Sequence, residues 1–327
     1  MNKPSKINSN WQGLFTGEYV TYWGLGWSAI GLFLYLTFSV VEPGMMRPTW
    51  FIIITTWVEE TGLIVAGCLC WRNWRSSCIP SGRGVWLLFA IAIFAFGFGN
   101  LWFFLWEVVW GLNPAASVGN LWFVLFYLML IAGVRLAMLD REIQLVRRQW
   151  MMVLGVAMVG LMIGCSLTTS VARAEVTPPT ITPIISIQPG LFGQVRTDAP
   201  MIPPQHHSPP KWVVELNRTM QPLVSTFNLF YILCDLVLLI FATILFLGFW
   251  GGNLGLPWRT IAQAVLCFYI ADTWFAYANN QVQGYASGSI MEVFWIFGIV
   301  QFGIAAALEF DNSIRSRRLD RRRTAIK

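Results

Sequence analysis

Charge and histidine are scarce in this 327-residue chain. Only 12% of its residues are charged and two are histidines, whereas 56% are hydrophobic and 18 are tryptophans. Ordinary soluble domains carry about 25% charged residues, roughly twice this share. The composition therefore predicts an all-α, polytopic integral membrane protein rather than a soluble domain.

Several kinds of chemistry lack the residues that they need. His206 and His207 lie outside the apolar runs, so the commonest axial ligand of haem is missing from them. Cys68-x-Cys70 has no histidine or cysteine partner at metal-binding spacing. No nucleophile stands beside a base, and no glycine-rich phosphate loop is present. We therefore expect no enzyme activity, no metal and no cofactor.

The apolar runs predict about eight transmembrane helices of the length that a bilayer requires. The predicted spans cover residues 22–42, 49–71, 85–110, 118–139, 150–170, 222–249, 258–280 and 288–309. They divide the chain into an N-terminal segment (1–21), a five-helix membrane half (22–170), a Pro-rich loop (171–221), a three-helix half (222–310) and a basic tail (311–327). The proline content of the loop favours extended chain.

Arginines set the expected orientation. They collect between spans two and three, between spans four and five, and after span eight. By the positive-inside rule these segments and both termini are cytoplasmic, and the loop 171–221 is external. The expected location is a cellular membrane. Because the basic residues flank apolar runs, they indicate orientation and lipid contact, and we expect no nucleic-acid binding.

Two segments admit alternative interpretations. The tail is either a flank that fixes orientation or a site for anionic lipid or a partner protein. Its arginines are Arg315, Arg317, Arg318, Arg321, Arg322 and Arg323. The fifth span, which ends near Ala172-x-Ala174, is either a membrane helix or a signal-like segment that is cleaved internally.

A weak internal repeat relates spans 3–4 to spans 7–8. An offset of 172 residues aligns Trp86 with Trp258, Phe96 with Phe268, Trp102 with Trp274, Phe103 with Phe275 and Ser117 with Ser289. At the same offset, Asn100, Glu107 and Asn120 fall on Asp272, Asn279 and Glu292. Both copies run in the same direction, so the pattern predicts a parallel repeat about an axis along the membrane normal.

Acidic residues within the apolar runs are the main functional candidates. Asp235, Asp272 and Glu292 are predicted to form a polar cluster, to which Glu107 contributes. The amides Asn100, Asn120 and Asn279 accompany them, and Glu59 and Glu60 lie near the middle of span two. No lysine lies in any span to pair with these acids. The acids either link helices in neutral form, line a sensing or binding cavity, or conduct protons or cations.

These residues resemble a bacterial, often cyanobacterial, multi-span membrane sensor region that precedes diguanylate cyclase, phosphodiesterase or histidine kinase domains. The likeness rests on Tyr231-x-x-x-Asp235-Leu236, Asp272-x-x-Phe275-Ala276-Tyr277, Tyr285-x-x-Gly288, Glu292, Trp295 and Gly298. A looser match covers Glu107-x-x-x-Gly111-x-x-Pro114-x-x-Ser117-x-x-Asn120, Phe126-Tyr127 and Gly133. The family usually has Asp at the positions of Asn120 and Glu292, often has Asp at that of Asn100, and carries an output domain that is not found after residue 310 here.

The resemblance implies a sensor-like or scaffold module without catalytic activity. It would signal through helix contacts, through a separate protein partner or as a homo-oligomer in the membrane. A small proton- or cation-coupled transporter is the alternative from another class, because acids at the interface of parallel repeats are typical of carriers. An accessory subunit of a larger membrane complex is a further alternative.

Overall fold

The computed structural model describes residues 16–40, 47–77, 79, 81–139, 145–176, 208–250, 255–279, 285 and 287–326. Within these ranges the regular structure is entirely helical, as predicted. The α-helices are α1 Gly17–Phe38, α2 Thr49–Arg75, α3 Arg83–Phe104, α4 Gly119–Leu139, α5 Arg147–Val176, α6 Lys211–Met220, α7 Val224–Gly248, α8 Leu256–Asn279 and α9 Val293–Ile326. A π-helix, Leu105–Val109, continues α3, and short 3-10 turns cover Pro114–Ala116, Gln221–Leu223 and Ile290–Glu292.

Seven helical segments in the described part of the chain are long and apolar enough to cross a membrane, against the eight spans predicted. They are Thr49–Arg75, Arg83–Val109, Gly119–Leu139, Arg147–Leu167, Lys211–Gly248, Leu256–Asn279 and Ile290–Arg315. These segments correspond to predicted spans two to eight. The first predicted span forms α1, but its Gly, Ser, Thr, Tyr and Trp residues make it less apolar than the other seven.

Two helical segments differ from the sequence prediction. The end of the predicted Pro-rich loop folds as α6, which places Val213 in the interior and leaves Trp212 exposed. The predicted basic tail is helical as far as Ile326, because α9 continues beyond the apolar run. Arg and Leu are good helix formers, so the backbone does not need to leave the helix where the apolar sequence ends.

Six helices close into a ring. Packing contacts join α2 to α3, α3 to α4, α4 to α7, α7 to α8, α8 to α9 and α9 back to α2. Inside the ring α3 and α8 meet through three aromatic pairs: Trp86 with Trp258, Phe96 with Phe268, and Phe103 with Phe275. Outside the ring, α1 packs on α9 and α2, and α5 packs on α7 and α8.

Three glycines let α1 lie close to α9. Gly17, Gly24 and Gly31 recur every seven residues and therefore share one face of the helix. A Cβ atom at Gly24 would lie 2.8 Å from Val300 Cγ1, and one at Gly31 would lie 2.9 Å from Ile296 Cδ1. Gly26, on another face, would meet nothing within 4 Å. The glycine face thus fixes where α1 sits on the ring.

Candidate functional site

A cavity of about 90 Å³ is lined by helices of the ring and by α1 and α5, which pack against it. This volume holds several water molecules or a small organic ligand. Five carboxyl side chains from five different helical segments line it: Glu59, Glu107, Asp235, Asp272 and Glu292. The described residues that line the cavity include no Lys, Arg or His. The ring therefore gathers acids that are up to 233 residues apart, from Glu59 to Glu292, around one polar space.

Asp235 and Asp272 are joined by a tyrosine. The Tyr127 hydroxyl lies 2.9 Å from Asp235 Oδ1 and 2.9 Å from Asp272 Oδ2. Trp295 Nε1 donates to Asp272 Oδ1 at 2.8 Å. Helices α4, α7, α8 and α9 each contribute one of these four side chains, so the group ties the two halves of the ring together.

The number of donors indicates that one of the two aspartates in this group carries a proton. A tyrosine hydroxyl donates one proton, so both of its contacts are hydrogen bonds only if one carboxyl is protonated and donates in turn. Asp272 already accepts from Trp295, whereas Tyr127 is the hydrogen-bond partner of Asp235. We assign the proton to Asp235, because a charged carboxylate is best stabilised where two donors reach it: Asp235 then donates to Tyr127, and Tyr127 and Trp295 both donate to a charged Asp272.

Glu107 belongs to a second group at the end of the cavity. The π-helix that holds it is wider than an α-helix, a feature found often at functional sites. The Glu107 carboxylate accepts from the backbone N–H of Ser287 at 2.9 Å and from the Ser287 hydroxyl. The neighbouring Trp106 instead donates through Nε1 to Asn217 of α6 at 3.1 Å. The π-helix thus connects the cavity to α6.

Glu292 has a clear structural role. Its carboxylate accepts from the backbone N–H groups of Gly288, at 2.8 Å, and Ser289, at 2.9 Å. Gly288 has φ +96°, a left-handed conformation that glycine adopts readily. A Ser followed three residues later by Glu is the sequence signature of a helix N-terminus. Glu292 therefore caps the turn that starts α9 and, at the same time, lines the cavity.

Tyr285 lies between the last two membrane-spanning segments, beside these acids. Its removal from water raises the pKa of the phenol well above its usual range, and the nearby carboxyls of Glu292 and Glu107 raise it further. The side chain is therefore a neutral hydrogen-bonding group at the end of the cavity.

The two predicted midplane acids occupy different places. Glu59 lines the cavity, where the Tyr35 hydroxyl is 3.4 Å and Asn100 Nδ2 is 3.3 Å from its carboxyl oxygens. Glu60 does not line the cavity; it packs near Gly97, and its Oε1 has no hydrogen-bond partner within the described part of the chain. Successive residues on a helix point about 100° apart, which explains the division.

The predicted amides are also divided. Asn100 lines the cavity, as its contact with Glu59 requires. Asn120 donates to the carbonyls of Ala115 and Ser117 and accepts from the Tyr231 hydroxyl at 2.8 Å, so it holds the start of α4. Asn279 is not among the lining residues, and its amide lies 3.5 Å from Asn228 Oδ1.

The predicted tail site is described only at its first residue. Arg315 is exposed near the end of the last apolar segment. The side chains of the remaining arginines lie outside the described residues; these are Arg317, Arg318, Arg321, Arg322 and Arg323.

Sequence reasoning missed the tyrosines of the cavity as functional groups. Tyr35, Tyr127 and Tyr285 each lie against a predicted acid. Tyr127 and Tyr285 entered the sequence analysis only as motif positions of the resemblance, and Tyr35 did not enter it. Their contacts with the acids depend on pairing across helices, over 108 residues for Tyr127 and Asp235.

Comparison of the chain with protein-family models, with curated proteins and with solved structures finds no match. The resemblance to a sensor region therefore stays a prediction from the motifs. What the chain does must be inferred from the cavity and from the helices around it.

Proposed function

We propose that this chain is a membrane-embedded, sensor-like module whose cavity binds a small ligand or a proton and whose last helix transmits the change. The observation that carries the proposal is that the Glu292 side chain has two roles. Its side chain lines the cavity and caps the turn that leads into α9. A change in the charge or contacts of this carboxyl would act directly on the start of α9.

The length of α9 suits it to transmission. Its 34 residues, at 1.5 Å each, make a helix about 51 Å long, whereas a bilayer core is about 30 Å thick. About halfway along its length α9 contacts the end of α2: Asn73 donates to the carbonyl of Ala306 at 2.8 Å, and the Arg72 guanidinium lies 4.0 Å from the Phe310 ring centre. A movement of α9 would therefore change contacts at both ends of the ring.

The proposed orientation follows from the arginine distribution. Both termini lie in the cytoplasm of a bacterial cell, and the loop 171–221 lies outside the plasma membrane or in the thylakoid lumen. The cavity end at Glu107 and Ser287 then faces outward, and the arginine-rich end of α9 meets cytoplasmic lipid or a separate signalling protein. Catalysis would belong to that partner.

A dye on α9 tests this proposal. An environment-sensitive fluorophore is attached to Asn312→Cys in a cysteine-free chain in nanodiscs, and the pH of the solution is varied. We expect the emission to change in the wild-type background and not in Glu292→Gln, while Glu60→Gln, whose side chain lies outside the cavity, retains the change. A signal that is the same in Glu292→Gln and in the wild-type background would refute transmission from this carboxyl.

The second candidate is a small proton- or cation-coupled carrier built from two parallel repeats. The aromatic pairs between α3 and α8 favour it, because each pair joins a residue to its own equivalent at the 172-residue offset. Residues next to a two-fold axis make such contacts. Two equivalent pairs within the halves agree: Phe103 with Phe123 at 4.9 Å, and Phe275 with Trp295 at 6.4 Å.

Carrier folds of this kind place their substrate site at the interface of the repeats, where this cavity lies. Proteoliposomes that contain a pH-sensitive dye separate the two functions. A carrier acidifies or alkalises the interior when a cation gradient is imposed, whereas a sensor leaves the internal pH unchanged.

A further inference from the structure

We infer that the cavity binds a small organic amine in its ammonium form, in exchange for the proton shared by Asp235, Tyr127 and Asp272. The inference rests on the proposed function, since it names the class of ligand for the same cavity. Four observations support it: the sign of the charge in the lining, an under-bonded carboxyl, the absence of a metal geometry and the aromatic walls.

The ionisable acid and base groups of the described cavity lining are all acids. Five carboxyls face the cavity, and no basic side chain is among the described lining residues. Glu59 is only 8% exposed, yet its contacts of 3.4 and 3.3 Å are longer than the 2.7–3.2 Å typical of strong hydrogen bonds. A buried carboxyl with such weak partners has capacity for another donor. An ammonium group brings three N–H donors and a positive charge.

The geometry favours an organic cation over a metal ion. Within the described residues, no three Asp, Glu, His or Cys side chains converge to hold a metal. Calcium and magnesium require six or more oxygen ligands around one point. The acids of the cavity are instead distributed around its wall, which suits a ligand of several atoms that meets them through hydrogen bonds.

Aromatic rings form part of the cavity wall beside the acids. Phe275 lies 4.7 Å from Tyr285 and 6.4 Å from Trp295 between ring centres, and Phe96 lies 6.3 Å from Trp295. All four residues line the cavity. Such rings accept the apolar body of an amine and attract its charge through cation–π contact. A short amine with an apolar or aromatic body fits both parts of the lining.

Exchange with a proton keeps the charge of the cavity constant. The ammonium enters as a cation, the O–H bond of Asp235 breaks, and the proton passes to water, so that both aspartates are charged while the ligand is bound. The groups that face the aspartates are Tyr127 from α4, Tyr231 and Cys234 from α7, Tyr269 from α8, Trp295 from α9 and, across the cavity, Glu59 and Asn100. None of these groups carries a positive charge that could substitute for the ligand.

Calorimetry on the purified full-length chain tests the inference with a matched pair of probes. Phenethylammonium carries the charge, and 2-phenylethanol has the same shape without it. Titration in two buffers of different ionisation enthalpy counts the protons released. We expect the ammonium to bind at least about 10-fold more tightly than the alcohol, as loss of a charge-assisted hydrogen bond implies, with about one proton released per ligand.

Two variants test whether ammonium binding and proton release depend on Asp235. Asp235→Asn keeps a donor toward Tyr127 but has no proton to release, so we expect it to fold normally, to bind the ammonium about 10- to 100-fold more weakly and to release no proton. Glu60→Gln changes a carboxyl next to Glu59 that does not line the cavity, and we expect it to bind as the unaltered chain does.

The amine assignment, the proton exchange and the inference as a whole are each contradicted by a different result. Equal affinity for the alcohol and the ammonium would overturn the amine assignment and would leave a cavity that binds ligands, as the proposed function requires. Ammonium binding without proton release, or undiminished binding by Asp235→Asn, would overturn the exchange. Failure of both probes to bind would overturn the whole inference, whereas the dye on α9 decides the proposed function independently.

Discussion

The two aspartates that flank Tyr127 should respond differently to the same substitution. If Asp235 carries the proton, an asparagine at 235 reproduces its donor with an amide N–H. An asparagine at 272 cannot reproduce a carboxylate that accepts from both Tyr127 and Trp295, because an amide has one oxygen. Its NH₂ group would face one of the two donors.

The expected magnitudes follow from the hydrogen bonds lost. Asp235→Asn should change the free energy of unfolding by no more than about 0.5 kcal/mol, since every partner is retained. Asp272→Asn loses one bond between helices, which costs roughly 0.6–1.7 kcal/mol in a membrane protein. Asp272→Leu loses two bonds and leaves two buried donors without acceptors, so we expect about 1–3 kcal/mol.

Unfolding by SDS titration in mixed micelles measures the free energy of unfolding of each variant and so ranks the three variants by stability. Infrared spectroscopy provides a second readout, because the carbonyl stretch of a protonated carboxyl should diminish in Asp235→Asn and not in Asp272→Asn. If the two asparagine variants are equally destabilised, or if Asp235→Asn is the less stable, the proton is not on Asp235 and the assignment is wrong.

Three further predictions concern packing, the tail and topology. Gly24→Leu should destabilise the chain by about 1–3 kcal/mol in thermal melts, because its side chain would overlap α9, while Gly26→Leu on an open face should not destabilise it. Changing the arginines at 321–323 to glutamine should weaken binding of a tail peptide to anionic vesicles, since each contributes about 1 kcal/mol near a negative leaflet; unchanged binding would leave only the orientation role. A cysteine at Gln205, which lies outside the described residues, should react with an impermeant maleimide in intact cells, and labelling only after lysis would reverse the topology.

The helices were predictable because a bilayer demands apolar runs of one length. Hydrophobicity locates α2 to α5 and α7 to α9 within a few residues, but it does not indicate where a helix ends once it leaves the apolar region. For this reason the extension of α9 to Ile326 was not expected. The short α6 was hidden by the proline-rich composition before it, although Val213, Leu216 and Met220 recur at helical spacing.

The sequence predicted the acids of the site and a cluster of Asp235, Asp272 and Glu292 with Glu107, but not the tyrosines that lie between them. An acid in an apolar run is conspicuous, so Asp235, Asp272 and Glu59 could be identified from the sequence alone. The addition of Glu59 to the cluster and the contacts of Tyr127 depend on the closure of the ring, about which periodicity within single helices carries no information. Glu292 is different, since Ser289-x-x-Glu292 already indicates a helix cap in the sequence.

The central claim is that a change in the cavity moves α9. It is tested by measuring a distance at the end of the ring where α2 ends and the last apolar segment ends. Spin labels on Arg75→Cys of α2 and Arg315→Cys of α9 report the separation of these helices by electron–electron double resonance in nanodiscs. We predict that phenethylammonium shifts the distance distribution in the otherwise unaltered chain and that Asp235→Asn greatly reduces this shift. A distribution that stays the same with and without bound ligand would contradict the claim, because the cavity would then be filled without any movement of α9.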